Sequence, residues 1–218
     1  MKIKYSLAVL SSLSFCFSGC DNSSKFESAE KETHTTHVNT DSLELTALVR
    51  KAYKWHMAKP LDDFPYKYRN QADSIFTGID WAKYNQNIEV FKKTGFFTDS
   101  FLSNHKAIAL TIDSSMKKAD ITWRNIHDGI PIWSTEADDW CVCQDYPDNF
   151  WDLNLITIDS LTLQNNTANF YWTWDKEPGP EQHKVRVTAV KTGNNWKINS
   201  LEGFKYYGTV ADYDKVMK

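Results

Sequence analysis

Residues 184–201 read KVRVTAVKTGNNWKINSL, and this stretch decides the fold class. Val185, Val187 and Ala189 occupy alternate positions, Trp196 and Ile198 do the same, and Thr192-Gly193-Asn194-Asn195 separates the two runs. Period-two strands around a Gly-Asn turn predict an antiparallel hairpin over Lys184–Lys191 and Trp196–Leu201. Upstream, Leu155–Leu163 alternates branched residues and Ala168–Trp174 alternates aromatic ones, so further strands precede the hairpin.

Before about residue 120 the period is helical. Asp41-Ser42-Leu43-Glu44 has capping-box spacing, and Leu45, Leu48, Val49, Ala52, Tyr53 and His56 follow at helical intervals up to Pro60. A second helix is expected over Trp81–Lys93, ended at Gly95. Thr98 or Asp99 caps a third, with Phe101, Leu102, His105, Ile108, Ala109, Ile112 and Met116 on one face. Residues 61–80 are mixed and punctuated by Pro65 and Gly78, and the polar tail after Phe204 receives no assignment. Helices first and antiparallel strands second make an α+β domain.

At 218 residues, 41% hydrophobic and 24% charged, the chain has room for one sizeable core, and collagen-like or wholly disordered material is excluded. A net charge of −3 argues against a nucleic-acid partner, which calls for a basic field. The unusual term is aromatic: nine Trp, ten Tyr and twelve Phe, with clusters of rings at 140–151 and 170–174.

The N-terminus reads as an address. Lys2 and Lys4 precede an apolar run from Tyr5 to Phe17, too short to cross the ~30 Å hydrocarbon core. Phe17-Ser18-Gly19-Cys20 resembles the lipobox of bacterial lipoproteins. That resemblance implies a signal peptide over residues 1–19, acylation (palmitate among the chains) at Cys20, and localisation in the bacterial cell envelope, membrane-anchored through Cys20. Removing residues 1–19 takes two lysines from the net −3 and leaves −5. Residues 20–40 are almost wholly polar and are expected to be a flexible tether, in which His34 and His37 are solvated rather than metal-bound. Residues 41–218 are expected to be one folded domain.

The order of helices followed by a meander ending in VRVTAVKTGNNWKINSLEGF resembles the NTF2-like superfamily, whose curved antiparallel sheet wraps helices into a cone. More narrowly, DDWCVCQDYPDNFWD at 138–152 and the terminal hairpin are similar to the DUF3828-like bacterial lipoproteins. The superfamily holds enzymes, binding modules and immunity or inhibitor proteins, so the resemblance implies a fold rather than an activity.

Three features are candidates for function. Glu136–Asp152 contains six acids and no Lys or Arg, with Trp140, Tyr146, Phe150 and Trp151 interleaved. Acids beside aromatic faces suit a sugar or a partner surface, and Trp140, Asp145 and Asp148 are the contact candidates; the alternative is a solvated loop anchored by its rings. The calcium-loop spacing is absent. Phe170, Trp172 and Trp174 share one face of a strand, where Trp172 and Trp174 line a pocket or simply pack a core. Cys141 and Cys143 either pair as a structural disulfide or remain buried thiols, and with His127 or Asp138 they fall short of a four-ligand zinc spacing. No Ser elbow, H-E-x-x-H or phosphate-binding glycine loop is present, so no catalytic residue, metal or cofactor is assigned. The expected function is a non-enzymatic, lipid-anchored module contacting an envelope protein or small ligand. The alternatives are acid–base chemistry by His56 or His105 with a neighbouring acid, or an immunity-type inhibitor.

Overall fold

A computed structural model describes residues 27–59, 61–69, 76–118, 138–147, 149–174 and 183–205, with side chains from Thr40 onward. The chain divides between Thr36 and His37. Of the first unit only helical backbone is described; the described side chains and every element after the first helix belong to the second.

The elements run α1 (Glu27–Ala58), β1 (Tyr66–Tyr68), β2 (Phe76–Ile79), α2 (Trp81–Thr94), α3 (Asp99–Lys118), β3 (Thr157–Gln164), β4 (Thr167–Thr173), β5 (Lys184–Thr192) and β6 (Asn195–Leu201). A short 3₁₀ turn over Glu202–Phe204 follows. The fold class is α+β. Strands β3 to β6 form one antiparallel sheet in chain order, and β1 pairs with β2 in a separate hairpin. That small hairpin falls in the stretch of mixed sequence, because three- and four-residue strands are too short to show a period.

The β5–β6 hairpin closes at Thr192↔Asn195 with Gly193 left-handed at φ 61°, the conformation a Gly-first hairpin turn requires. Val185, Val187 and Ala189 are buried while Lys184 and Arg186 face water, so the alternation read from sequence is the alternation of faces. On β4 the same face carries Ala168, Phe170 and Trp172. Leu45, Leu48, Val49, Ala52 and Tyr53 of α1 are buried with them in one core, and Tyr53 meets Trp172 edge-on at 4.1 Å between ring centroids.

Helix α1 begins at Glu27 rather than at the Asp41 box, so the segment expected to be a tether is helical from Glu27 onward. Glu, Ala and Lys in Glu27–Glu32 are good helix formers, and the run extends a helix already held by packing. Asp41 is therefore no N-cap. Its carboxylate instead accepts from Lys191 Nζ (2.9 Å) and Trp196 Nε1 (3.0 Å), clamping the helix to the β5–β6 hairpin.

The other two helices start and stop as their sequences predict. Asp80 caps α2 by accepting from the Ala82 and Lys83 amides, and Gly95 ends it in the left-handed region. The Thr98 hydroxyl accepts from Phe101 N at the start of α3. Between the helices, Phe97 forms a parallel bridge to Ile198, so residues 96–98 lie along the β6 edge. Helix α3 packs on β2 through Asp113. Its carboxylate accepts from the Ile79 amide (2.9 Å) and Lys117 Nζ (2.6 Å). Burial alone pushes that carboxyl up, but these donors together hold it below the usual range.

Candidate functional site

The acidic–aromatic loop is organised by one carboxylate. Asp138 Oδ1 accepts from the amides of Trp140 (2.8 Å) and Cys141 (3.1 Å), and Oδ2 accepts from the Tyr146 hydroxyl (3.1 Å). The Asp138 backbone closes the same turn: its N–H donates to Cys143 O and its carbonyl accepts from Val142 N. Cys141 and Cys143 form a disulfide with Cα atoms 5.2 Å apart. His183 Nε2 lies 2.5 Å from the Cys141 carbonyl oxygen and joins the start of β5 to this turn. Asp152 likewise caps its own turn through the Asn154 amide. Asp138 and Asp152 thus accept from donors of their own turns, and Asp145, like Asp152, is exposed.

Burial separates the sequence candidates. Trp140, Trp172 and Trp174 are exposed by 1% or less, so none of the three lies on a surface that a partner can touch. Trp172 and Trp174 lie tilted against one another, at 3.6 Å between their ring centroids, and Tyr53 of α1 packs edge-on against both. Trp140 points inward against Tyr53 and Trp55, and its carbonyl accepts from the Tyr53 hydroxyl. Asp148, Glu136 and His127 lie outside the described residues, as do Cys20 and the signal segment.

The rings of this loop that reach water are Trp151 (63% exposed) and Tyr146 (47%). Their centroids lie 5.5 Å apart over Phe150, which is buried and in turn packs on Trp174 at 5.4 Å. The exposed pair thus rests on a core aromatic, beside exposed Asp145. Nothing in the sequence tells Trp151 from Trp140. Both sit among acids in a loop without a period, and the tertiary partners of Trp140, Tyr53 and Asp63, decide that it faces in.

A second constellation is polar and buried. His105, 1% exposed, has its Nδ1 3.0 Å from the Tyr84 hydroxyl and its Nε2 3.4 Å from Asp63 Oδ1. Asp63 Oδ2 accepts from Trp140 Nε1 at 3.0 Å. Burial, then the Asp63 charge, pushes the Tyr84 hydroxyl above its ordinary range. Both nitrogens of His105 have partners within the core, and Phe64 and Phe204 pack against its ring at 4.6 and 5.4 Å between centroids. The helical face that made His105 a candidate base therefore places it in a closed network joining α2, α3 and the disulfide turn. Two surface grooves, about 430 Å³ beside Arg186 and Phe204 and about 380 Å³ beside Leu48 and Trp196, are lined by neither His105 nor Asp63.

His56 is half-buried and stacks on Trp140 at 4.0 Å between centroids. Burial lowers its pKa below 6.5, and the charges of Asp63 and Asp138 only partly restore it. In the unfolded chain His56 binds its proton more readily, so stability should fall as pH drops from about 6.5 towards the depressed folded value. Urea unfolding at pH 8, 6 and 5 measures this, and His56→Gln should flatten the slope in that window. An equal slope in the variant would show that other groups carry it.

Among the described residues no group of three or more His, Cys, Asp or Glu is placed to hold a metal ion, and no helix is long and apolar enough to cross a membrane. No protein-family model matches the chain, and no curated protein and no solved structure matches it either.

Proposed function

We propose that the chain is a lipid-anchored binding module of the bacterial envelope, without catalytic chemistry, whose contact surface is the loop carrying Asp145, Tyr146 and Trp151. The observation that carries this reading is the exposed pair Tyr146–Trp151, seated on buried Phe150. Two large rings left in water contribute little to folding, and their common face offers apolar area to a partner. Asp145 beside them supplies a hydrogen-bond acceptor. A protein surface or a small ligand with an apolar face and donor groups fits this chemistry. The lipobox-like Phe17–Cys20 motif supports an acyl anchor at Cys20, since several acyl chains at about 0.8 kcal/mol per buried CH₂ retain a domain at a membrane. The helices preceding a four-stranded antiparallel meander support an NTF2-like arrangement.

One experiment tests the anchor and the surface together. The wild-type chain should partition with membranes and capture a partner from envelope extracts. Cys20→Ser should move to the soluble fraction. The double variant Asp145→Lys, Trp151→Ala should stay anchored and folded while capture drops about tenfold or more, as expected when an interface loses a central aromatic. Unchanged capture by the double variant would remove the loop from the function, and membrane retention of Cys20→Ser would remove the anchor.

A further inference from the structure

Val142 lies between the two bonded cysteines with a left-handed backbone, φ 54°. A β-branched residue seldom adopts this conformation, because its Cβ crowds the neighbouring carbonyl. Three constraints hold it there: the Cys141–Cys143 bond, the Val142 N–H donating to Asp138 O at 2.7 Å, and the Asp138 N–H donating to Cys143 O at 2.9 Å. The same Asp138 holds the Tyr146 hydroxyl. The strained residue is therefore coupled, through the backbone and carboxylate of Asp138, to one of the loop's two exposed rings.

We propose that the Cys141–Cys143 disulfide is a redox-labile lock on this loop, opened by an external dithiol. Cys141 is fully buried and Cys143 is 8% exposed, so attack falls on Cys143. The external thiolate bonds to Cys143 Sγ, the intramolecular S–S bond breaks, and Cys141 leaves as a thiolate that takes up a proton. The second thiol of the reductant then loses its proton and attacks its partner sulfur in the mixed disulfide. Cys143 is released as a thiolate that is protonated, and the reductant's own disulfide closes. Two electrons pass from the dithiol to the cysteine pair, and the dithiol is oxidised. With the ring open, Val142 returns to negative φ, the Asp138 turn loosens, and Tyr146 loses its fixed position. The consequence for partner binding rests on the proposed contact surface, whereas the redox step does not.

The full chain, equilibrated in mixtures of reduced and oxidised dithiothreitol, quenched in acid and alkylated, gives the equilibrium constant for reducing the pair from the mass of the peptide holding residues 141–143. Val142→Asn tolerates the left-handed region and relieves the oxidised form. Its constant for reduction should fall about tenfold, equivalent to about 1.4 kcal/mol. Val142→Gly should shift it in the same direction, by less, because glycine also gains freedom in the open ring. Amide exchange over 138–147 should accelerate on reduction of the wild type. Constants within twofold of wild type for both variants, or exchange unchanged on reduction, would overturn the proposal. If the redox shifts appear while Tyr146 and Trp151 prove irrelevant to capture, the lock stands and the surface reading falls.

Discussion

Truncating Trp172 to alanine is expected to cost about 4 kcal/mol of unfolding free energy, while Trp151→Ala should stay within about 0.5 kcal/mol of wild type. The two residues are the same type in the same half of the chain, but their surroundings differ. Trp172 is fully buried, with Trp174 at 3.6 Å and Tyr53 at 4.1 Å between ring centroids. Removing the indole discards its transfer free energy and leaves a cavity walled by other rings, which cannot collapse into it. Trp151 keeps 63% of its surface in water and leaves no such void. Denaturant unfolding followed by circular dichroism measures both. A loss near 1 kcal/mol in Trp172→Ala would mean that the ring lines an open pocket after all, contrary to its packing against Trp174 and Tyr53.

Gly203→Ala is the second variant with a large expected effect, about 3 kcal/mol. The cause is backbone, not conformation. A Cβ at Gly203 would stand 2.0 Å from the Asp139 carbonyl oxygen, 2.7 Å from its carbon and 2.8 Å from its Cα. No flexible side chain is available to give way, so either the 3₁₀ turn after β6 or the disulfide turn must shift. Both belong to the core, because Phe204 and Trp140 are 2% and 1% exposed and meet edge-on. The thermal midpoint should fall by roughly 10 °C for a domain of this size. A midpoint within about 2 °C of wild type would show that the contact relaxes at little cost.

Periodicity makes most of the scaffold legible. Helix α2 runs Trp81–Thr94 where Trp81–Lys93 is expected, and β5 and β6 match their predicted runs to within a residue. The residues assigned to the inner face of α3, from Phe101 to Met116, are buried. Such assignments succeed because a half-buried element repeats its environment every 2 or 3.6 residues, and composition records that repeat. Elements that fail this condition leave no signal. The β1–β2 hairpin is too short for a period, and its anchor, the Asp113 carboxylate on the Ile79 amide, lies 34 residues away in sequence. The Asp41 box has the spacing of a cap yet serves as a clamp on Lys191 and Trp196, because the helix extends past it.

The candidate site is legible only as a composition. Acids and rings over 136–152 mark a loop rich in contact chemistry, and the spacing of Cys141 and Cys143 allows a bond without deciding it. Which ring faces water follows from contacts made by distant residues. Tyr53, 87 positions away, bonds to the Trp140 carbonyl, and Asp63, 77 positions away, holds its indole N–H. These two draw Trp140 inward and leave Tyr146 and Trp151 to the surface.

The amino-acid sequence by itself determined an α+β chain with its helices ahead of an antiparallel meander, because local patterns of apolar residues specify which faces must be covered. Tertiary structure decided that, among the described residues, most of the large rings are core, that the Tyr84–His105–Asp63 set is internal, and that Tyr146 and Trp151 of the disulfide loop face water beside Asp145. Those outcomes depend on non-local packing and hydrogen bonding, which satisfy the buried polar groups of one segment with partners from another.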